Sequence, residues 1–337
     1  MFNYLSQDRQ VNSDSIVYVL KCVKADLTAY NSFQWNSEGP VEAPDFDSTP
    51  ECGKGLHGWL WGEGDVSACS WWNDLDSKWL VLAVWKDDLI ELDSKVKFPR
   101  CWVVFSGDRI SAPRKIIELG AQGAVLFANR LGGDNSTLTG GDRSTLTGGN
   151  GSTLNGGDDS TLNGGYGSTL TGGYWSTLNG GDRSTLNGGD WSTLNGGDRS
   201  TLNGGDGSTL TGGYRSTLNG GNGSKLNGGD DSTLNGGDRS TLNGGYGSTL
   251  TGGNGSKLKG GDGSTLTGGY RSTLNGGNGS KLNGGDGSTL TGGYGSRLTF
   301  KVWDGNRYRL HTAYVGENGI KSGVPYQFID GKFVEKN

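Results

Sequence analysis

The sequence predicts a mainly β protein: a parallel β-solenoid of eight-residue repeats, about 16 residues per coil, with a small α+β amino-terminal capping domain and a short carboxy-terminal cap. Three observations carry that prediction. A leucine recurs every eight residues from Leu138 to Leu298 without insertion or deletion, a glycine pair opens each repeat, and eight of the 11 tryptophans and all 4 cysteines fall within residues 1–130. With 66 glycines against 6 prolines and one methionine, the chain has to be read in sections. The glycine-rich stretch has no apolar mass for an ordinary core, whereas residues 1–130 have enough for one compact domain.

Taken in order, residues 12–130 read as α+β. Ser15–Cys22, Trp79–Trp85 and Arg100–Phe105 are apolar runs of strand length, and the segment between the first two is rich in loop residues. Ser111 to Gly120 has the spacing of a short amphipathic helix. The tryptophans are expected in the core and over the solenoid end. Leu131 is expected to be covered by this domain, since a stacked column needs a lid at its first coil.

Residues 131–299 form the repeat, with consensus Gly-Gly-x-x-Ser-Thr-Leu-(Asn/Thr), as in Gly180 to Asn187. Alternation along a strand sends Ser and Leu to one face and Thr and Asn/Thr to the other, so Leu and Ser are expected inside. The glycine pair is expected to make the corner, supplying positive φ and room for close backbone approach. One octad spans at most about 26 Å of extended chain, at roughly 3.3 Å per residue, too little to encircle its own side chains. Two octads per coil is the smallest workable solution, and three per coil is the alternative. A disordered glycine/serine linker would not keep the leucine register. Gly205 to Leu210 is superficially similar to a calcium-binding nonapeptide solenoid, but the period is eight and Thr209 stands where that motif needs Asp. No metal or cofactor is expected.

The outward positions are the candidate working surface. The residue before Leu is Thr in 17 of 21 octads, the exceptions being Lys225, Lys257, Lys281 and Arg297; the residue after it is Asn in twelve, Thr in eight and Lys259 in one. In a two-octad coil, Thr137, Thr153, Thr169, Thr185, Thr201, Thr217, Thr233, Thr249 and Thr265 fall in one unbroken column. Rows about 4.7 Å apart, with neighbours about 6.6 Å apart along a strand, approach oxygen separations in ice. Threonine has few χ1 choices, so such an array can hold water in a fixed pattern. Seven octads carry both threonines: Thr137/Thr139, Thr145/Thr147, Thr169/Thr171, Thr209/Thr211, Thr249/Thr251, Thr265/Thr267 and Thr289/Thr291. Four of them recur every 40 residues, an odd number of octads, so successive pairs should alternate sides.

The repeat resembles that of the bacterial ice nucleation proteins, whose octads read Ala-Gly-Tyr-Gly-Ser-Thr-Leu-Thr; Gly165 to Thr171 is nearly identical. The non-repetitive tail, Ser296 to Arg309 with Gly316-Glu317-Asn318-Gly319 and Val324-Pro325-Tyr326, is similar to that family's carboxy-terminal cap. The likeness covers roughly residues 132–337. It implies a solenoid whose Thr-x-Thr strands organise ice-like water, without catalysis, and a cap over residues 300–337 that ends the leucine column. In that reading ordered water or an ice surface is the partner. Arg297, Lys301, Trp303, Arg307, Tyr308 and Arg309 are the residues for capping or self-assembly. Tyr166, Tyr174, Tyr214, Tyr246, Tyr270 and Tyr294 do not keep a 16-residue period, so the family's tyrosine ladder is not expected here. About ten coils at about 4.7 Å give a stack under 50 Å, a small template unless copies assemble.

Asp26-Leu27-Thr28 and Cys52 to Gly58 resemble an uncharacterised amino-terminal domain found ahead of repetitive solenoids in phage and prophage proteins. A phage structural or adhesive solenoid, serving as rigid spacer or glycan-facing surface, is therefore the alternative function. Cys52 and His57 invite a nucleophile-and-base reading, set against a turn that packs a core histidine. Cys22, Cys52, Cys69 and Cys101 form no Cys-x-x-Cys pair, so reduced, mostly buried thiols are expected. A net charge of −5 with interspersed signs leaves no footprint for nucleic acid. No stretch reads as a membrane span or a signal peptide, so cytoplasmic synthesis is expected, with surface or virion association open.

Overall fold

The computed structural model describes residues 1–6 and 15–336. Residues 7–14, where the expected α+β segment begins, lie outside the described residues. The chain divides into a unit of Met1–Leu131 with Thr139–Leu146 and a unit of Gly132–Leu138 with Thr147–Asn337.

In the first unit Ile16–Val23, Lys78–Trp85 and Arg100–Gly107 form the antiparallel centre of a seven-stranded sheet. Gly39–Glu42 borders Arg100–Gly107, and Leu56–Leu60, Val96–Phe98 and Ile90–Glu91 complete the other side. Gly39–Glu42 and Leu56–Leu60 lie in the stretch read as loop-rich, and Ile90–Glu91 and Val96–Phe98 in the unassigned stretch between Trp85 and Arg100, because each is too short to show a period. Alternation divides the apolar residues between two layers: Val19, Val23, Leu80, Leu82 and Phe98 in one, Leu20, Cys22, Trp79 and Val81 in the other. Helix Ser111–Glu118 adds Ala112 and Ile116 to the second layer. Its start is fixed by Asp108, whose Oδ1 accepts from the backbone N–H groups of Ile110 and Ser111.

Leu131 is not covered. It is 80% exposed, while Val125, Leu126 and Ala128 take the buried places. The backbone explains this, because the segment before Leu131 pairs with the octad Thr139–Leu146: Gly141 N–H donates to Val125 O, Phe127 N–H to Asp142 O and Thr145 N–H to Ala128 O.

The repeat folds as a parallel β-solenoid with two octads per coil. Strands 16 residues apart pair in register, as in Thr185↔Thr201, Leu186↔Leu202 and Asn187↔Asn203. Alternate octads build two sheets. The first face runs from Thr137–Thr139 to Arg297–Trp303, and the second includes Thr161–Asn163 through Thr289–Gly292. Every leucine from Leu146 to Leu298 is at most 2% exposed, so the inner column is continuous. The serines are buried beside it and close the corners. Ser184 Oγ donates to Gly181 O at 2.7 Å, and the same bond recurs from Ser168 to Gly165 and from Ser200 to Gly197.

The glycine pair works by close approach alone; positive φ lies elsewhere. The left-handed residue is the fourth of each octad, occupied by glycine in some coils and by Arg183, Trp191, Arg199 or Asp231 in others. A Cβ on the first glycine would strike its own octad's inward side chains: at Gly180 it would stand 2.7 Å from Leu186 Cδ1. On the second it would strike the neighbouring coil's backbone: at Gly181, 2.9 Å from Tyr166 N and 3.0 Å from Gly165 C.

At the far end, Arg297–Trp303 turns back through Asp304 to pair antiparallel with Tyr308–Tyr314. Pro325–Ile329 pairs antiparallel with both Thr289–Gly292 and Lys332–Glu335. Phe300, at 1% exposure, sits in ring contact with Phe328 and Phe333 beyond the last leucine. The final strand of each face thus meets an antiparallel partner instead of offering a bare ladder.

Candidate functional site

The outward surface follows from the register. On the first face Thr153, Thr169, Thr185, Thr201, Thr217, Thr233, Thr249 and Thr265 stand directly above one another, with Thr137 on the preceding strand. Lys281 and Arg297 continue the column. On the second face Thr161, Thr177, Thr193 and Thr209 lead to Lys225, Thr241, Lys257 and Thr273, so two lysines interrupt the row. The two faces therefore differ: one carries a nine-threonine column and the other does not.

Five octads being odd, Thr169 with Thr171 and Thr249 with Thr251 lie on the first face, and Thr209 with Thr211 and Thr289 with Thr291 on the second. Thr249 and Thr251 stack on Thr265 and Thr267, giving a two-by-two block of threonines on adjacent coils. Thr137 and Thr145 are exposed, while Thr139 and Thr147 are half-buried.

Two threonines of the second face, Thr289 and Thr291, depart from the expected water-facing array. Thr289 is 8% exposed, and its Oγ1 accepts from Gln327 Nε2 and Lys336 Nζ, each at 3.2 Å. Thr291 is half-buried, with Asn275 on one side and Pro325 of the cap strand on the other. The cap strand pairs along this octad, so the pair of Thr289 and Thr291 does not form an open hydroxyl patch. Thr211 is exposed as expected, yet it stands alone: its neighbours one coil away are Asn195 and Asn227, and Thr209 beside it is followed by Lys225. A lone outward threonine between two asparagines extends no row, so Thr211 belongs to neither the nine-threonine column nor the two-by-two block.

The asparagines, expected beside the threonines on the water-facing surface, also bind one another in the structure. Asn203 Nδ2 donates to Asn187 Oδ1, Asn219 to Asn203 and Asn235 to Asn219, at 2.8 to 2.9 Å. Shorter ladders join Asn163, Asn179 and Asn195, and Asn227 with Asn243; Thr211 is the break between them. In-register stacking brings each amide to its counterpart one coil away, so these amides bind one another along the stack. The period of the repeat contained this signal.

A second ladder runs along the corners. Asp or Asn at the third octad position accepts the N–H of the residue 16 further on, as Asp182 Oδ1 does from Asp198 and Asp198 Oδ1 from Tyr214. Tyrosine offers no such acceptor, and the residue 16 beyond each of Tyr166, Tyr174, Tyr214, Tyr246 and Tyr270 is Asp. An acidic or amide ladder thus occupies the place of a tyrosine ladder. Asp304 and Arg309, joined at 2.6 Å, and Lys301 with Trp303 over Tyr308, serve the cap hairpin itself. Arg307 is exposed, and Arg297 Nε is buried without a hydrogen-bond partner.

In the first unit Cys52 and His57 line one cavity of ≈ 540 Å³. His57 lies in the strand Leu56–Leu60, opposite Lys97, and not in a turn. Burial, with Lys95, Lys21 and Lys97 nearby, pushes its pKa down to about 4, so at neutral pH it is uncharged and a weak base. No hydrogen bond joins it to the exposed Cys52 among the described residues, and the nucleophile-and-base reading has no geometry behind it. Cys22, Cys69 and Cys101 are buried and free. Among the described residues there is no cluster of candidate metal ligands, and no helix is long and apolar enough to cross a membrane.

No family model matches the chain, and no solved structure matches it. Curated proteins do. An ice nucleation protein of Pseudomonas syringae is 46% identical over 104 residues, 30% of this chain and 8% of the relative. An ice nucleation protein of Pseudomonas fluorescens is 38% identical over 98 residues, and one of Xanthomonas campestris pv. translucens 44% over 98 residues, covering 8% and 6% of those relatives. The chain therefore matches less than a tenth of each relative's length. Those likenesses, together with a parallel solenoid of two octads per coil, make this an ice-nucleation-protein-like repeat protein.

Proposed function

We propose that the first face is a water-ordering, ice-binding surface and that this solenoid acts without chemistry of its own. The observation that carries the reading is the column from Thr137 to Thr265, nine hydroxyl-and-methyl side chains locked in register by parallel pairing. Eight steps of about 4.7 Å make a row of about 38 Å, with rigid χ1 angles and no charged interruption. Beside it the asparagine ladder fixes the strand spacing, and Thr171, Thr251 and Thr267 widen the hydroxyl array where asparagine gives way. The similarity to ice nucleation proteins supports the same reading. No comparison supports the alternative of a phage structural or adhesive solenoid.

A row this short is a small template, so assembly of several copies belongs to the same proposal, with the exposed cations of the cap as the contact. Ice-affinity partition and droplet freezing test it, using Thr185→Lys/Thr201→Lys/Thr217→Lys on the first face against Thr161→Lys/Thr177→Lys/Thr193→Lys on the second. Loss of ice enrichment is expected from the first triple alone. An unmodified chain that neither partitions into ice nor raises the freezing temperature at any concentration would remove the proposal, as would equal loss from both triples.

A further inference from the structure

The cavity of the first unit takes no part in the threonine surface, yet it is built like a binding site. Its volume of ≈ 540 Å³ is in the range of small-molecule pockets, and four aromatic side chains, Trp35, Phe33, Tyr30 and Trp59, stand among its walls. Two ammonium groups, Lys21 and Lys95, reach the same walls. The one carboxylate there, Asp45, accepts from the backbone N–H of Gly55 at 3.3 Å. Lys21 Nζ stands 5.6 Å from the centre of the Trp35 ring, so a cation and an aromatic face are presented side by side.

Burial lowers the pKa of Lys21, as expected of a cation held away from water without a carboxylate beside it. Trp35 Nε1 and His57 Nε2 are buried in the walls with no hydrogen-bond partner. The loop bearing Cys52 lines the site and is fastened by the buried Lys97 ammonium, which donates to the carbonyls of Thr49 and Glu51.

We propose that this cavity binds a small aromatic anion, its carboxylate or phosphate between Lys21 and Lys95 and its ring against Trp35. The excess of positive charge selects the anion, and the aromatic walls select a flat body over a bare ion.

Isothermal titration of the full chain tests this with two anionic probes, indole-3-acetate and adenosine monophosphate. Indole, adenosine and inorganic phosphate serve as controls. Saturable one-to-one binding of at least one anionic probe is expected, with the matching uncharged ring and phosphate alone each weaker by about tenfold, roughly 1.4 kcal/mol. Which probe binds distinguishes carboxylate from phosphate. Lys21→Gln and Lys95→Gln should each weaken binding about tenfold, while Lys86→Gln, outside the cavity, should not. Lys95 lies at a turn, so its variant remains decisive should Lys21→Gln misfold. Absence of saturable binding by both anions, equal binding of the uncharged rings, or affinity unchanged in Lys95→Gln would each overturn the assignment.

Discussion

Two substitutions in a single corner, Gly197→Ala and Arg199→Gly, should move stability in opposite directions, and the signs are set by different physics. At Gly197 an added Cβ would stand 2.8 Å from Asp182 N and 3.0 Å from Asp182 Cα, both backbone atoms of the adjoining coil, and would collide with the Asp182 carboxylate. That carboxylate accepts the Asp198 N–H at 2.9 Å, and Gly197 N–H donates to Gly181 O at 3.3 Å. Overpacking of about 1–3 kcal/mol and the loss of one or two hydrogen bonds of about 1 kcal/mol each put the destabilisation at about 2–5 kcal/mol. Arg199 holds φ 57 while its N–H donates to Tyr214 O at 2.8 Å, so glycine there keeps the bond. The left-handed conformation disfavours a non-glycine residue by about 1–2 kcal/mol, and glycine's greater freedom in the unfolded chain offsets about 0.4–1 of it, leaving a net gain of up to about 1.6 kcal/mol. Hydrogen exchange resolved over residues 181–214, with thermal melting by circular dichroism, reads both. A flexible glycine linker predicts the reverse for Gly197→Ala, a slight stabilisation. A neutral or stabilising result there would refute the close-approach argument.

Leu202→Ala, in mid-column, should destabilise the adjoining coils by about 2–5 kcal/mol, since Leu202 is wholly buried with coils on both sides; Leu138→Ala, at a half-buried position, should have a smaller effect in the same exchange experiment. Asn219→Ala removes amide bonds to both Asn203 and Asn235 and should weaken the stack by about 1–2 kcal/mol in urea titration. Asn187, Asn203, Asn219 and Asn235 replaced together by Thr should raise ice affinity, because the first face would then carry Thr-x-Thr from Thr169 to Thr267. For His57 the folded pKa lies near 4, below its ordinary 6.5, so the unfolded chain takes up the proton first. Stability of the first unit is then complete above pH 6.5 and falls as pH drops towards 4. His57→Asn should flatten that slope in melts recorded across the window, and an unchanged slope would reject His57 as its source.

The solenoid was legible because its period is strict. Leu154, Leu162 and their successors could be placed inside, and Thr153, Thr169 and Thr185 on one column, from spacing and the length of an octad alone. What spacing hid was the reason for each residue. Gly-Gly reads as a turn signal in any sequence, and only the stacked backbone shows that Gly181 meets Tyr166 N while Arg183 carries the positive φ. Asn203 reads as an outward polar residue until the register places Asn187 and Asn219 on either side of it. Thr289 and Thr291 look identical to Thr249 and Thr251 because the cap strand that lies along them comes from more than thirty residues further on. Thr211 reads like Thr251 until pairing shows which of them has a threonine beside it in the next coil. In the first unit Leu56–Leu60 and Val96–Phe98 escaped notice for want of length, and with them the cavity that gathers Lys21, His57 and Lys95 from three separate strands and turns.

Two octads per turn give the array a parity. An insertion of eight residues near residue 208 would keep every local rule of the repeat, yet it would join the upper half of one face to the lower half of the other. Lys225 and Lys257 would then be spliced into the threonine column, while the leucine spine would remain intact. An insertion of sixteen would simply lengthen both faces. Duplications that preserve a functional surface are therefore confined to even numbers of octads, although folding alone tolerates either, so selection on the surface would be visible as a missing class of lengths.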